Sequence, residues 1–359
     1  MNAEQVAKSL ATHFLVNGNF EAFGSALGRE AATLYAKTAA FDATDEYFVE
    51  ETGFAGLAVH SVGYTKGAEQ EKVVVYVTRG SKKELKELPG EVEGTEVIAR
   101  VMGKMRGGPA MAWQTGGHFF EHNGRIACGS SCAPSGQNYS GTLGALLTDG
   151  PRRLALSNNH VFAACNHTPV GMPILAPSTS DARPGRRAPT AFSTYERMVE
   201  LHSGDPVLVA PMRLDAALAA LNDPLLNSSW QGDEENGYDT PNQTASPEAE
   251  MKVKKFGRTT GLTFGTVEAF APAPWVLPYR SAKFTATVWF TDTWTVRSNN
   301  TDPFGLPGDS GSLIVREDGS CAIGLLFAVN NRGEYGIIIP IEDVLDAFGN
   351  IQLLSGHGL

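Results

Sequence analysis

The stretch LPGDSGSL, residues 306–313, places Ser310 in a turn that contains Gly308 and Gly311, with Asp309 directly before it and an apolar run after it. Glycines permit a turn that aims several backbone N–H groups at one point. A serine hydroxyl becomes a strong nucleophile only when a base removes its proton and such N–H groups stabilise the charge that forms. The same residue types also build ordinary hairpin loops. Other parts of the chain must distinguish the two interpretations.

Two further stretches supply a base and a carboxylate. In LALSNNHVFA, residues 154–163, His160 follows an apolar strand, where an imidazole can be held on a rigid edge and still reach a cleft. In LDAALAAL, residues 214–221, Asp215 precedes a run of small and apolar residues that would bury its carboxylate beside a histidine. The chain order His160, Asp215, Ser310 is that of the chymotrypsin-type triad. Ser312 replaces the second glycine of a G-x-S-x-G nucleophile elbow, which excludes that alternative.

Composition limits the classes of function. The chain has 359 residues, 42% of them hydrophobic and 19% charged, which is typical of a globular protein with a large core. Its net charge of −10 argues against a nucleic-acid partner.

Residues 1–18 lack the pattern of a secretory signal, and no apolar run reaches the length of a membrane span, so we expect a soluble cytoplasmic protein with no membrane partner. The four cysteines do not form a disulfide framework.

The chain divides into regions of different pattern. Residues 1–45 predict N-terminal helices, and residues 46–110 predict a small α+β domain with a strand pair, a charged helix and another strand. The glycine-rich stretch GKMRGGPAMAWQTGG, residues 103–117, is interpreted as a linker. Short strands follow over residues 125–359, which predicts an all-β double β-barrel: barrel 1 at about 125–221, a polar and mobile surface connection at 222–250, barrel 2 at about 251–340, and a helix at 341–349.

Four matches in the same order carry a family resemblance. GDSGS at 308–312, NHV at 159–161, DAAL at 215–218 and GLLFA at 324–328 resemble the trypsin/chymotrypsin-like serine proteases. LSNNHVFA, KFGRTTGLTFGTV and PGDSGSLIV resemble more closely the cytoplasmic bacterial branch of that family, to which the plant narrow-leaf-type proteins belong. The resemblance spans about residues 140–350, with a weaker match over residues 73–89.

The resemblance implies two six-stranded antiparallel barrels with the active site between them, and endopeptidase activity on a protein or peptide substrate. His160 would be the general base, Asp215 its orienting partner and Ser310 the nucleophile, while the N–H groups of Gly308 and Ser310 would form the oxyanion hole. The substrate pocket would contain Phe304, Phe327, Ala328 and Val329, and Phe304 at its base would favour small or medium uncharged side chains.

Two departures from the family pattern bear on regulation. Val161 and Leu306 stand where secreted members have half-cystines, which fits a reducing compartment. No basic cleavage site followed by an Ile-Val-Gly-Gly start precedes barrel 1, so Asp309 is expected to shape its turn and not to pair with a new N-terminus. The alternative function is a catalytically silent protease-like module that binds a peptide without cutting it.

Other motifs give weaker hypotheses. HFFEH, residues 118–122, fits a zinc-binding pattern, but flanking glycines leave too few residues for a stable helix, so a strand edge is the preferred interpretation. Cys128, Cys132, Cys165 and His167 lack the spacing of a tight zinc site. GRTTG, residues 257–261, lacks the lysine of a phosphate loop and predicts a turn of barrel 2. We therefore expect no metal and no cofactor, and a homo-oligomer through exposed strand edges is left open.

Overall fold

The computed structural model describes residues 1–16, 19, 57–86, 88–108, 110–111, 117–204, 209–281, 283 and 285–358. The first helix, α1, spans Ala3–Val16. Its Val6, Leu10 and Phe14 recur on one helix face and are fully buried against the first strands of the chain. The second helix predicted before residue 45 lies outside the described residues.

Six strands and a short helix follow: β1 Ala58–Tyr64, β2 Val73–Arg79, α2 Lys82–Leu85, β3 Glu91–Val92, β4 Thr95–Val101, β5 Met105–Gly107 and β6 Ala110–Met111. The predicted strand pair, short helix and further strand are confirmed as β1, β2, α2 and β4. Instead of forming a separate sheet, these strands extend the sheet of barrel 2, since β1 pairs with a barrel strand at Tyr64 and Phe270. The interpretation of residues 103–117 as a plain linker is wrong for the part that forms β5 and β6.

Barrel 1 is a curled sheet. Its elements are β7 Glu121–His122, β8 Arg125–Cys128, β9 Ser131–Pro134, β10 Tyr139–Thr142, β11 Ala145–Thr148, β12 Arg153–Ser157, α3 Asn159–Phe162, β13 Pro173–Ala176, β14 Thr190–Met198 and β15 Ala217–Leu221. The main path runs β11-β12-β15-β14-β13-β9-β10. Leu143 and Gly144, between β10 and β11, donate to the carbonyls of Ser130 and Leu156, which draws the two ends of this sheet together. Alternate residues such as Leu146, Ala155 and Phe192 fill its core.

The polar segment at 222–250 contains two short strands. It contains β16, Asn227–Gln231, which runs parallel to β8, and β17, Tyr238–Asp239. The prediction of a surface connection did not include strand β16, whose small polar side chains are buried and hydrogen-bonded. Gln231 Nε2 donates to the Gly144 carbonyl at 2.9 Å and to Thr240 Oγ1 at 2.8 Å. In β16 the polar residues therefore serve internal hydrogen bonds, whereas the acidic residues Glu234, Glu235 and Glu248 are exposed. The mobility of the connection stays a prediction.

Barrel 2 is closed. The remaining elements are β18 Lys252–Gly257, β19 Gly261–Ala271, β20 Trp275–Arg280, β21 Thr285–Phe290, β22 Thr293–Ser298, β23 Leu313–Arg316, β24 Ala322–Asn330, β25 Tyr335–Pro340, α4 Ile341–Phe348 and β26 Gln352–Leu353. The antiparallel order β18-β23-β24-β25-β22-β19 returns to β18, which closes a six-stranded barrel. β20 and β21 form a separate hairpin, and β26 extends the barrel 1 sheet beside β11.

The chain thus has a mostly-β, chymotrypsin-like double-barrel fold, which confirms the predicted fold class. In the described part of the chain, barrel 2 closes through strand pairing, whereas barrel 1 remains a curled sheet. The predicted helix at 341–349 is α4. No helix in the described ranges has the length and hydropathy needed to cross a bilayer.

Candidate active site

The turn that carries Ser310 requires glycine on both sides. Gly308 and Gly311 have φ values of 104° and 95°, in the left-handed region that residues with a Cβ rarely adopt. A Cβ at Gly308 would lie 2.4 Å from Thr259 Oγ1, and one at Gly311 would lie 2.3 Å from Ser157 Oγ. Both glycines are therefore fixed by conformation and by close packing, and Ser310 between them is only 6% exposed.

Asp309 holds this turn from inside. Its carboxylate accepts hydrogen bonds from the backbone N–H groups of Thr259 (2.7 Å), Thr260 (3.1 Å) and Leu306 (2.9 Å). The Thr260 hydroxyl donates at 2.8 Å, and the Lys255 ammonium lies 3.6 Å away. Lys255 belongs to β18, and Thr259 and Thr260 belong to the GRTTG turn, which is confirmed as a turn of barrel 2. The serine turn is held without a new chain N-terminus, as expected for the role of Asp309.

His160 and Asp215 form a buried pair at the end of β12. His160 lies in α3, directly after that strand, and its Nδ1 is 2.5 Å from Asp215 Oδ2. The His160 backbone N–H donates to Asp215 Oδ1 at 3.2 Å, and Asn158 Nδ2 donates to the Asp215 carbonyl at 2.6 Å. Both side chains are 0% exposed. The carboxylate therefore fixes the ring orientation and favours the tautomer with hydrogen on Nδ1.

Tyr279, in β20, is the third member of this cluster. Its hydroxyl donates to Asp215 Oδ2 at 2.7 Å, and its ring packs edge-on against the His160 ring with centroids 5.5 Å apart. Burial and the negative charge of Asp215 raise the pKa of Tyr279 well above its usual value. The phenol consequently keeps its proton and remains a hydrogen-bond donor to the carboxylate.

Ser310 lies between the two barrels. Its carbonyl accepts the Thr142 N–H of β10 at 2.9 Å, and its hydroxyl donates to the Phe327 carbonyl of β24 at 3.4 Å. His160 Nε2 is buried and has no hydrogen-bond partner within the described residues. The structure thus brings His160 and Asp215 into direct contact, while the Ser310 hydroxyl is turned toward β24. Hydrogen bonds between catalytic groups often form only when substrate is bound.

Two backbone donors accompany the serine. Within the parts of the chain that the structure describes, the N–H groups of Gly308 and Ser310 donate to no internal acceptor. The Gly308 carbonyl is held by the Thr142 hydroxyl at 2.9 Å, which orients that peptide unit. Paired, unused N–H groups beside a nucleophile can stabilise an oxyanion.

A buried ion pair supports the serine turn from below. Arg258 donates through Nε to Asp181 Oδ2 at 2.7 Å and through Nη2 to Asp181 Oδ1 at 2.5 Å. Asp181 also accepts from Ser131 Oγ and from the Gly117 N–H. A Cβ at Gly308 would lie 2.9 Å from Arg258 Nη1, so the guanidinium lies directly under the turn. The pair joins barrel 1 to the serine turn of barrel 2.

Asp181→Asn tests this pair through stability. Burial raises the pKa of Asp181, but hydrogen bonds from Arg258 and Ser131 lower it further, to about 2 from an ordinary 3.8. Because the pKa of Asp181 is lowered in the folded state, its ionised carboxylate stabilises the fold at pH values above its ordinary pKa. This contribution to stability is lost as the pH falls from about 4 to 2. We expect Asp181→Asn to lower the free energy of unfolding by about 3 kcal/mol at pH 7, because Arg258 is left unpaired.

Urea unfolding at several pH values measures this difference between the wild type and the variant. The difference should shrink toward pH 2. The surface pair Asp149–Arg152 provides the control Asp149→Asn, which should change stability little. An equal loss at pH 2 and pH 7 in Asp181→Asn would contradict the assignment.

Sequence reasoning did not identify Tyr279, Arg258 or Asp181 as parts of the site. Tyr279 and Asp215 are 64 residues apart, and Arg258 and Asp181 are 77 residues apart. No local pattern marks either contact.

The four residues predicted for a substrate pocket are all buried. Phe304 (0% exposed) and Val329 (4%) pack in the core of barrel 2, and Phe327 and Ala328 belong to the large core between the barrels. The Phe327 ring contacts that of Phe290 with centroids 4.7 Å apart. Their role in selecting a substrate side chain stays a prediction.

The competing motifs do not assemble into a metal centre. The HFFEH stretch ends in strand β7, which confirms the strand-edge interpretation, and His122 bonds to Ser228 and stacks on Trp230. Considering only the described residues, no three His, Cys, Asp or Glu side chains are grouped so as to hold a metal ion. All four cysteines are buried free thiols: Cys128, Cys132, Cys165 and Cys321.

The chain was compared with protein-family models, with curated protein sequences and with solved structures. No family model matches the chain, and no curated protein sequence matches it significantly. Similar solved structures include a glutamic-acid-specific serine protease with a histidine triad in substrate binding, at 18% identity over 64% of this chain and 100% of that one (TM-score 0.43). Others are Thermobifida fusca Protease A (17%, 64% and 100%, TM-score 0.40) and a Nocardiopsis protease (17%, 63% and 97%, TM-score 0.42). These structural neighbours are chymotrypsin-like serine proteases.

Proposed function

We propose that the protein is a serine endopeptidase that cleaves peptide bonds with the triad His160, Asp215 and Ser310. The observation that carries the proposal is the buried His160–Asp215 pair, in which His160 Nε2 has no hydrogen-bond partner among the described residues. The serine turn adds two backbone N–H groups that donate to no acceptor in the described part of the chain. A structural histidine of this burial would normally have both ring nitrogens satisfied. An unused, oriented imidazole nitrogen is the feature that general-base catalysis requires.

The reaction follows from these positions. Ser310 Oγ rotates away from the Phe327 carbonyl and attacks the substrate carbonyl carbon while its proton moves to His160 Nε2. The N–H groups of Gly308 and Ser310 stabilise the oxyanion, each donor contributing about 3 kcal/mol to transition-state binding. The imidazolium, stabilised by Asp215, then protonates the leaving amine, which releases the first product and leaves an acyl ester on Ser310. Water, deprotonated by His160, hydrolyses the ester and restores the serine.

One observation favours a second candidate, a catalytically silent module that binds peptides. The Ser310 hydroxyl bonds to a main-chain carbonyl and not to His160. A cleft fixed in that arrangement could hold a peptide without cutting it.

Digestion of a denatured protein mixture separates the two candidates. Purified wild-type chain should generate new peptide ends that are detected by mass spectrometry, and Ser310→Ala should generate none. Binding of peptides by both forms, without cleavage by either, would favour the silent module.

The same digestion tests the predicted side-chain preference. We propose that Phe304 and Val329 leave only a shallow apolar site before the cut bond, since a Cβ on the neighbouring Gly305 would already lie 3.1 Å from Val329 Cγ1. Cleavage should follow small or medium uncharged residues such as Ala, Val or Leu. The preference should be graded, because one methylene changes selectivity by about 1 to 3 kcal/mol. Predominant cleavage after Lys or Arg would contradict this proposal.

We further propose that the enzyme belongs to the cytoplasmic bacterial branch and works in a reducing compartment. Four buried free thiols support this location, as do Val161 and Leu306 at the positions where disulfides would occur. The partners are protein or peptide substrates, with homo-oligomerisation through sheet edges as an additional proposal. Thiol titration of protein purified from its native source, without reductant, should find four free cysteines.

A further inference from the structure

A short upstream strand covers the free edge of β24 beside the serine. Strand β5, Met105–Gly107, pairs antiparallel with Ala328–Asn330 in the register Gly107 with Ala328. The paired stretch of β24 begins directly after Phe327, whose carbonyl accepts the Ser310 hydroxyl. The backbone edge nearest to the nucleophile on the barrel 2 side is therefore already occupied.

The same segment also pairs with a strand of barrel 1 near Ser310. Strand β6, Ala110–Met111, pairs antiparallel with Tyr139 and Ser140 of β10. Two residues further along β10, the Thr142 N–H donates to the Ser310 carbonyl. β5 ends at Gly107 on barrel 2, and β6 begins at Ala110 on barrel 1. Both strands therefore lie beside the main-chain contacts of Ser310, one on each barrel.

Strand β5 also lies against Tyr279, which contacts both His160 and Asp215. A Cβ at Gly107 would lie 2.4 Å from Tyr279 Cε2, so the Gly107 backbone rests on the ring that bonds to Asp215 and packs on His160. A side chain at this position would collide with that ring. Glycine is thus required here by close approach.

Several contacts anchor the start of the segment. Met105 is 4% exposed and is part of the core that contains Tyr279 and Phe327. Asn330 Nδ2 donates to the Met102 carbonyl at 2.7 Å, and the Asn331 N–H donates to the Lys104 carbonyl at 2.9 Å. The segment is held by apolar burial and by hydrogen bonds that Asn330 and Asn331 donate to main-chain carbonyls.

An extended peptide that presents a carbonyl to Ser310 would need these same two edges. Strand addition to an exposed sheet edge is the usual way in which a protein holds an extended peptide independently of its sequence. We propose that strands β5 and β6 occupy the substrate cleft in cis and block it, so that the enzyme is autoinhibited until these strands leave. This inference rests on the proposed function and names its regulation. A substrate competes with an intramolecular occupant, so its apparent affinity equals its intrinsic affinity multiplied by the fraction of molecules in which the cleft is open.

Two substitutions expel the segment by different means. Gly107→Val adds a side chain that collides with Tyr279, and Met105→Asp places a charge in an apolar core. The matched control is Gly90→Val, because a Cβ at Gly90 meets no atom within 4 Å. All variants are made in the full chain. Hydrogen exchange of the amides of residues 105–107 and 328–330 reports whether the segment is seated.

We expect protected amides in the wild type and in Gly90→Val, and loss of protection in Gly107→Val and Met105→Asp. Cleavage of a fluorogenic peptide pool, measured as kcat/KM, should rise roughly tenfold or more in the two expelled variants. Loss of protection without a rise in kcat/KM, in a chain whose Ser310 reacts with a fluorophosphonate, would overturn the autoinhibition and leave the proposed function standing. Exchange as fast in the wild type as in the expelled variants would also overturn it.

A binding measurement tests whether the segment occupies the cleft, independently of catalysis. A fluorescent peptide with the sequence of residues 104–111, KMRGGPAM, is titrated into chains that all carry Ser310→Ala. The peptide should bind the Gly107→Val and Met105→Asp forms roughly tenfold more tightly than the Gly90→Val form. Equal affinity for all three would overturn the inference. If Ser310 fails to react with a fluorophosphonate in every variant, the proposed function is wrong. The titration then still tests whether the segment occupies the cleft.

Discussion

Ser310→Ala is expected to lower kcat/KM for peptide hydrolysis by roughly four to six orders of magnitude. The change removes the proposed nucleophile, so no acyl ester should form, and only substrate binding and the proposed oxyanion donors would remain. The fold should be unaffected, because the Ser310 hydroxyl makes a single long hydrogen bond of 3.4 Å to Phe327. The backbone contacts that hold the turn, including those of Asp309, do not involve this oxygen.

The measurement compares initial rates of the wild type and the variant on the same peptide pool, together with their thermal midpoints. Ser320→Ala is the matched control, since Ser320 is exposed and lies on the same barrel. Its hydroxyl bonds to the neighbouring Asp318 Oδ1 and Cys321 Sγ. It should retain full activity. Residual activity in Ser310→Ala within a factor of ten of the wild type would mean that another residue is the nucleophile.

Asp215→Asn should lower kcat by roughly ten-thousandfold. In the wild type, Asp215 Oδ2 accepts both the His160 Nδ1–H and the Tyr279 hydroxyl. An amide at this position has only one oxygen to accept hydrogen bonds, and its NH₂ group would favour the tautomer of His160 with hydrogen on Nε2. The nitrogen that should take the serine proton would then already carry one.

Tyr279→Phe gives a graded comparison for this prediction. It removes one donor to the carboxylate but keeps the ring that packs on His160, so kcat should fall by roughly tenfold. The losses are measured as single-turnover rates, which separate chemistry from product release. A loss in Asp215→Asn no larger than that in Tyr279→Phe would contradict the orienting role of Asp215.

Local signals in the sequence were sufficient to identify the central features. The turn GDSGS, the strand-ending NNHVFA and the small-residue run after Asp215 are each set by neighbouring residues, so backbone preferences and burial patterns reveal them. The closed barrel 2 and the curled barrel 1 agree with the short strands that were predicted from residue 125 onward. The predicted role of Asp309 in shaping the turn is confirmed by four hydrogen bonds from its neighbours.

The features that sequence reasoning missed depend on distant contacts. Polar composition at residues 222–250 indicated exposure, yet strand β16 is buried because Gln231 and Thr240 find partners inside the fold. Glycines at 107 and 108 indicated a linker, whereas the glycine at 107 is needed for close approach to Tyr279. In both segments, residue types that usually favour loops are used to bring a backbone against another part of the chain.

Covalent labelling of Ser310 by a fluorophosphonate tests the central claim most directly, because only an activated serine reacts. The reagent is applied to the wild type, to Gly107→Val and to His160→Ala, and the modified residue is identified by tandem mass spectrometry. The account predicts a phosphonyl adduct on Ser310, formed faster in Gly107→Val than in the wild type and absent from His160→Ala and from unfolded protein. A folded chain in which neither the wild type nor Gly107→Val acquires an adduct on Ser310 would contradict it.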